Sequence, residues 1–287
     1  MWLFLAFLTA LFTSLSDIFS RRIIHQIDVL VIAWGWAFFS LPFLYAYLLF
    51  QPLPELDATF WTALAVTTGI LTVANILYFK AIHAADLSLS VPMLAFTPLF
   101  MMITSPLILG EFPRPMGLTG IMLIVIGSYI LNFKNRRHGY WAPLKSLLKS
   151  PGPRYMLMVA LLYSIGGNID KIGIYHSSPF AWPAAVNSAL ALTIGLIVLR
   201  RVAHPWREIR HGWKYLLLMG LTISLAFICQ MMALTLTLVP YVIAVKRTSI
   251  IMTSISGFVF FKEGGIRERL PGVILMVLGV ALIYIFS

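Results

Sequence analysis

The chain has 287 residues, of which 60% are hydrophobic and only 11% charged, yet its net charge is +11. A soluble domain is roughly one-quarter charged, so this composition, with a mean hydropathy of +0.91, belongs to a chain dissolved in lipid and excludes a water-soluble domain. One cysteine, Cys229, excludes an internal disulfide and any cysteine-based metal cage.

A bilayer crossing needs about 20 mostly apolar residues, and the sequence offers ten such stretches. The first, 2–20, has no basic stretch before it and carries Arg21 and Arg22 behind it, so it reads as a span rather than a cleaved signal peptide. Segments at 29–49 and 60–80 follow, the latter running into a polar turn with Asn75, Lys80, His83 and Asp86. The fourth, 88–108, contains Pro92, Pro98 and Pro106, which predict bends and freed carbonyls. After the fifth, 116–133, comes the only sizeable loop, 134–154, too short for a soluble domain. The sixth, 155–174, holds Gly166-Gly-Asn-Ile-Asp-Lys171, where two adjacent glycines are expected to loosen the helix. Segments 180–199 (with Pro183), 213–236, 239–261 and 270–286 complete the set. The tryptophans cluster near segment ends as an aromatic belt, with Trp34 and Trp182 placed to reach a cavity mouth.

The basic residues are not scattered. Numbering loops from the N-terminus, the odd-numbered ones hold two, one, six, five and three of the 21 lysines and arginines. The opposite side has Arg114, and Lys171, Lys246 and Arg247 fall inside segments. That asymmetry is the positive-inside pattern. It accounts for the net charge without nucleic acid, and predicts a multi-pass protein of the cell's inner (cytoplasmic) membrane with loop 134–154 cytoplasmic and both termini exterior.

The second half of the sequence answers the first. At an offset of 152, Ala81 falls on Ala233, Glu111 on Glu263, Leu118 on Leu270, Gly120 on Gly272, Leu123 on Leu275, Val125 on Val277 and Gly127 on Gly279. At 150, Ala10 matches Ala160, Ser14 matches Ser164 and Ile24 matches Ile174. Repeats with an odd number of crossings lie upside down relative to each other, a construction typical of secondary transporters. Each repeat closes alike: Ala81 through Val91-Pro92 and Phe96-Thr-Pro98 to Gly110-Glu111, and Ala233 through Lys246-Arg247 to Lys262-Glu263, each followed by a helix with two glycines seven apart. This order and spacing resembles the EamA-like families of the drug/metabolite transporter superfamily over nearly the whole chain. The resemblance implies an all-α integral membrane fold of ten helices in two inverted five-helix repeats. The repeats are expected at 1–133 and 155–287 around the basic loop 134–154, with a central cavity worked by alternating access.

Glu111 and Glu263 lie at segment ends, where a carboxylate caps free N–H groups or sits favourably at a helix N-terminus; a proton-coupling role is the rarer alternative. The paired glycines predict close helix packing. An ionised side chain in mid-membrane costs roughly 2.5–3.5 kcal/mol on insertion scales, so Lys246, Arg247 and Lys171 mark a functional site by default. Asp170 either neutralises one of them as interhelical glue or joins the same pocket. Lys171 and Lys246–Arg247 are expected at similar depth, with Asn168, Asn187, Gln230 and Tyr241 completing a polar pocket for a small-molecule substrate. The Lys246-Arg247 dipeptide also resembles the plastidic organophosphate/phosphate translocators. There a further lysine on helix four shares the phosphate, but the equivalent position here is Leu94.

Motifs for zinc hydrolysis, a serine nucleophile or a phosphate-binding loop do not occur. No cofactor, metal or nucleic acid is expected, nor any enzymatic activity. The sequence thus predicts a secondary transporter of a small polar, anion-bearing metabolite, with membrane lipids as its surroundings. The alternatives are a lipid-headgroup carrier or flippase, or an exporter of amino acids or drugs in which the cations are structural. Substrate identity, direction, coupling and oligomeric state are not written in the chain.

Overall fold

The computed structural model describes residues 1–24, 26–52, 54–84, 91–131, 151–253, 255 and 266–286. Among these, all regular structure is helical. The first repeat comprises α1 (Trp2–Ile23), α2 (Val29–Phe38), α3 (Leu41–Leu48), α4 (Ala58–Ala84), a 3₁₀ turn η1 (Val91–Phe96), α5 (Thr97–Leu109) and α6 (Pro115–Leu131). The second comprises α7 (Pro151–Tyr175), α8 (Ala181–Arg201), α9 (Pro205–Leu234), α10 (Val239–Lys246) and α11 (Ile266–Phe286). Among the described residues six stretches are long and apolar enough to cross a membrane, α2 and α3 counting as one bent span over Val29–Leu48. Met93–Leu109, Pro115–Leu131 and Leu270–Phe286 are shorter apolar helices.

The segment pattern reads well in its centres and less well at its ends. The helix α7 starts at Pro151, four residues inside the expected loop, because Pro151 and Pro153 occupy first-turn positions where no helical N–H is needed. Likewise α9 starts at Pro205, eight residues before the apolar run that betrayed it. Two expected irregularities are absent. Pro183 is the third residue of α8, where its missing N–H removes no helical bond, so α8 runs through it. Gly166 and Gly167 lie inside an uninterrupted α7. Their missing side chains instead admit Leu71 and Met101, which a Cβ would meet at 3.4 and 2.8 Å.

The halves are interleaved, and the interleaving has two-fold character. The largest helix contacts all cross between repeats: α6 on α11, α1 on α9, and α4 on α7. The last two are one contact seen from each repeat, since α1 is the equivalent of α7 and α4 of α9. The pair α6–α11 is reciprocal at single residues. A Cβ on Gly120 would lie 2.7 Å from the Gly279 carbonyl, and one on Gly279 would lie 2.6 Å from the Gly120 carbonyl. Gly127 and Gly272 face each other in the same manner, at 2.6 and 2.7 Å. Partner numbers fall as residue numbers rise, so the helices are antiparallel and the axis relating them is perpendicular to both. For helices that cross a bilayer, that axis lies in the membrane plane, which is the inverted arrangement. Backbones this close require glycine at all four positions.

Candidate functional site

The helix carrying Lys246 and Arg247 is broken at those residues. α10 opens with Val239-Pro240, runs for eight residues and stops at Lys246; Arg247 and Thr248 form a turn, and helical geometry resumes at 249–253. Across the turn the backbone bonds shorten to three-residue steps, Thr248 N–H to the Val245 carbonyl at 2.9 Å, Ile250 to Arg247 at 3.1 Å and Ile251 to Thr248 at 2.9 Å. The first repeat breaks at the same place. There 3₁₀ geometry ends at Phe96 and α-helix begins at Thr97, and an offset of 152 carries Phe96 onto Thr248. α5 and α10 pack together. Paired discontinuous helices in corresponding positions of two inverted repeats are where transporter folds build their sites, because irregular backbone is tolerated in a bilayer only where it is buried in protein or lines a cavity.

Around the break the polar side chains sort into three groups. In the first, Lys246 Nζ donates to Gln230 Oε1 of α9 at 2.6 Å. Its charged neighbours are Arg247, Asp170 and Asp17, while Arg247 has the neutral phenol of Tyr163 and the carboxylate of Asp17 nearby. The Arg247 Nε is buried without a hydrogen-bond partner. Leaving such a donor unpaired costs about 1–3 kcal/mol, more for a charged group, so this guanidinium is the strained member. Asp170 holds the Trp182 indole N–H at 2.9 Å. Trp182 itself is fully buried, edge-on to Phe60 at 5.6 Å between centroids. It is a core residue and not one of the belt or the cavity mouth, because Gly173 lets its ring seat against α7.

The second group is Lys171, which does not sit level with Lys246. Its Nζ donates to Glu111 Oε1 and, at 2.8 Å, to the Thr237 carbonyl. Glu111 Oε2 accepts the Val239 N–H at 3.0 Å, so Lys171 lies at the N-terminal end of α10. Seven residues of helix, about 10 Å at 1.5 Å each, separate that end from Lys246. Glu111 caps a helix N-terminus as expected, but that of α10 in the other repeat. One ion pair thereby ties α7, the α5–α6 corner, the α9–α10 turn and the helix bearing Lys246. Both members are largely buried, with side chains 6% and 15% exposed.

The third group is scaffolding. Asn168 is saturated: its Oδ1 accepts from Ser105 at 2.6 Å and its Nδ2 donates to Thr104 at 2.9 Å and the Ser164 carbonyl at 2.8 Å, riveting α5 to α7. The Tyr241 hydroxyl accepts the Arg114 N–H at 3.2 Å over Gly117, and its ring stacks on Trp2. Asn187 turns its amide N–H back to the Pro183 carbonyl at 2.8 Å, while its Oδ1 is buried and unpartnered.

Four of the eight expected site residues, Lys246, Arg247, Asp170 and Gln230, therefore share one neighbourhood, while Lys171, Asn168 and Tyr241 are committed to other contacts. Lys80 is exposed; Asp86, Glu263, the loop 134–150 and the side chains of Arg21 and His83 lie outside the described residues. Sequence reading missed the Glu111–Lys171 pair and the break itself. The pair was available from a buried lysine and a corner glutamate, each otherwise without a partner. The break has no glycine or proline at 247–248 to announce it.

The EamA-like transporter family model matches residues 1–133 and 151–285. A solved structure described as "Crystal structure of protein" is similar over 98% of this chain and 96% of its own, with a TM-score of 0.79 at 15% identity, a likeness of fold. Curated proteins yield no match.

Proposed function

The chain belongs to the EamA-like transporter family, and from that premise we propose that it carries a small polar metabolite with an anionic group across the cytoplasmic membrane by alternating access. Membrane transport of the drug/metabolite type is the family's work; the substrate class is our reading. The coincident helix irregularities in the two repeats support it, since discontinuous helices at corresponding positions are where transporter folds hold their substrates, and Lys246 and Arg247 stand at one of them. Arg247 supplies a planar fork with a buried Nε to satisfy, and Lys246 a point charge held by Gln230. A carboxylate or phosphate entering the break pairs the guanidinium. A cationic drug meets two like charges there.

Glu111–Lys171 closes the end of the path at which α10 begins. While it holds, α10 is anchored at its N–H terminus and the way past Thr237 is shut. By the positive-inside count that end is exterior, so the arrangement described here is closed to the outside. Opening requires the ion pair to part and the two repeats to rock about the glycine-lined α6–α11 contact.

Uptake into proteoliposomes of labelled carboxylates, phosphate esters and amino acids tests the reading, together with Lys246→Gln and Arg247→Lys at matched folded yield. Arg247→Lys is expected to lower transport at least tenfold with a normal yield, because a lysine cannot reproduce the fork. Undiminished transport in both variants removes the anion-binding role. Transport of organic cations in preference to anions removes the substrate class.

A further inference from the structure

The turn between α8 and α9 carries charge that transport does not use. From residue 200 to residue 214 there are five cations, Arg200, Arg201, Arg207, Arg210 and Lys214, and one acid, Glu208. That acid is committed, since its Oε2 accepts the Asp28 N–H at 2.7 Å. All five cations are exposed, and among the described residues none has a carboxylate partner.

The length of α9 fixes the depth of this collar. Its 30 residues make about 45 Å of helix, roughly 15 Å more than a hydrocarbon core of about 30 Å. Counting about 20 residues back from Leu234 brings the core boundary to Lys214. The residue types change at that point. At 100° per residue, Arg207, Lys214, Leu218 and Leu225 lie within about 40° of one another, so a single exposed face passes from cation to leucine in one turn. Trp206 and Trp213, 72% and 49% exposed, flank that face, and Lys214 Nζ sits 5.9 Å from the centre of the Trp213 ring. Beside them Ala203, His204, Pro205, Trp206 and Arg207 line a shallow recess of about 340 Å³.

We propose that this collar docks the headgroup of an anionic phospholipid of the adjoining leaflet. Arg207, Arg210 and Lys214 grip the phosphate from one helix face. Trp213 sits at the glycerol level beside Lys214, Trp206 lies at the headgroup level beside Arg207, and Leu218 and Leu225 offer the acyl chains a surface below the cations. A soluble phosphate ester would use the cations but gain nothing from Trp213 and the leucines toward the lipid. A zwitterionic lipid brings the chains without the net charge. Each cation near an anionic leaflet contributes roughly fivefold, so the three together amount to about a hundredfold at low salt.

Native mass spectrometry of the protein exchanged into mixed phosphatidylglycerol and phosphatidylcholine nanodiscs tests this. The wild type is expected to retain phosphatidylglycerol at least tenfold over phosphatidylcholine, the retention falling in 0.5 M salt by screening. R207Q/R210Q/K214Q is expected to bring the ratio near one, while Arg114→Gln on the opposite side leaves it unchanged. Should the triple variant yield no folded protein, Lys214→Gln and Arg207→Gln each lower the ratio severalfold. Equal retention of both lipids by the wild type, or an unchanged ratio in folded variants, overturns the proposal. Displacement of the lipid by an equal concentration of glycerol phosphate also overturns it, in favour of a soluble ligand.

Discussion

Replacing Glu111 by glutamine keeps the shape of the corner and removes one charge. Lys171 is then left with its ammonium 6% exposed and one partner, the Thr237 carbonyl. An uncompensated buried charge costs about 3–5 kcal/mol, whereas exchanging both members of a buried pair for neutral groups of similar volume is close to neutral. Lys171→Met should fall between, because Glu111 keeps the Val239 N–H and its 15% exposure; about 1–3 kcal/mol is expected for the partner lost. The order is therefore Glu111→Gln worst, Lys171→Met intermediate and the double variant mildest. At about 2–4 °C per kcal/mol for chains of this order of size, Glu111→Gln should melt on the order of 10 °C below wild type, and the double variant within a few degrees of it. Melting in nanodiscs, read as a double-mutant cycle, measures the coupling directly. A double variant that melts at the sum of the two single losses would show that the two residues do not act on each other, and the closed end would need another explanation.

Gly127→Ala puts a Cβ 2.6 Å from the Gly272 carbonyl, where neither backbone can retreat, so it should cost more than the roughly 1–3 kcal/mol of ordinary overpacking; Gly69→Ala, with nothing within 4 Å, is the neutral control in the same melting assay. Asp57 has its acid strength raised first by the Phe60 N–H and then by His176, with which it pairs at 2.8 Å. A depressed folded pKa means its contribution is complete above the unfolded value of about 3.9 and fades as the pH falls through the folded value. The melting difference between wild type and Asp57→Asn should therefore be present at pH 7 and close below roughly pH 4. Reporter fusions within 134–154 should behave as cytoplasmic and those at the C-terminus as exterior; the reverse would show that the charge bias misleads for this chain.

What could be read in the sequence was whatever leaves a periodic or pairwise mark. Segment centres follow from apolar run length, and the inverted repeat follows from the 152-residue match. The four glycines follow from a spacing of seven that keeps them on one face. Ends were misplaced where polar residues extend a helix beyond the lipid, as at Pro205–Gly212, because hydropathy is silent once the helix leaves the core. The glycines at 166 and 167 misled because a glycine in a packed membrane helix stays helical when every backbone group needs its bond, and there it makes room for a neighbour. The depth of Lys171 was not legible either. Similar distances from two helix ends do not place two side chains at one depth when one helix is short, broken and capped from another repeat.

The scaffold is symmetric at the break and the chemistry is not. α-helix begins again at equivalent positions, Thr97 and Ser249, yet the first repeat offers Leu94 and Ala95 where the second offers Lys246 and Arg247. An irregularity present in both halves has to be kept from lipid in both, since unsatisfied backbone there costs several kcal/mol per group. The charges need no duplicate, because a single anionic group is satisfied from one side. The arrangement therefore has a direction. On the proposed reading one wall, from α9 and α10, grips the charge through Arg247, Lys246 and Gln230. On the same reading the first repeat, with Leu94 at the position of Lys246, is the facing wall and meets the uncharged remainder of a substrate. A metabolite with one anionic end and a compact, less polar body meets both walls, whereas a dianion charged at both ends leaves one charge against leucine.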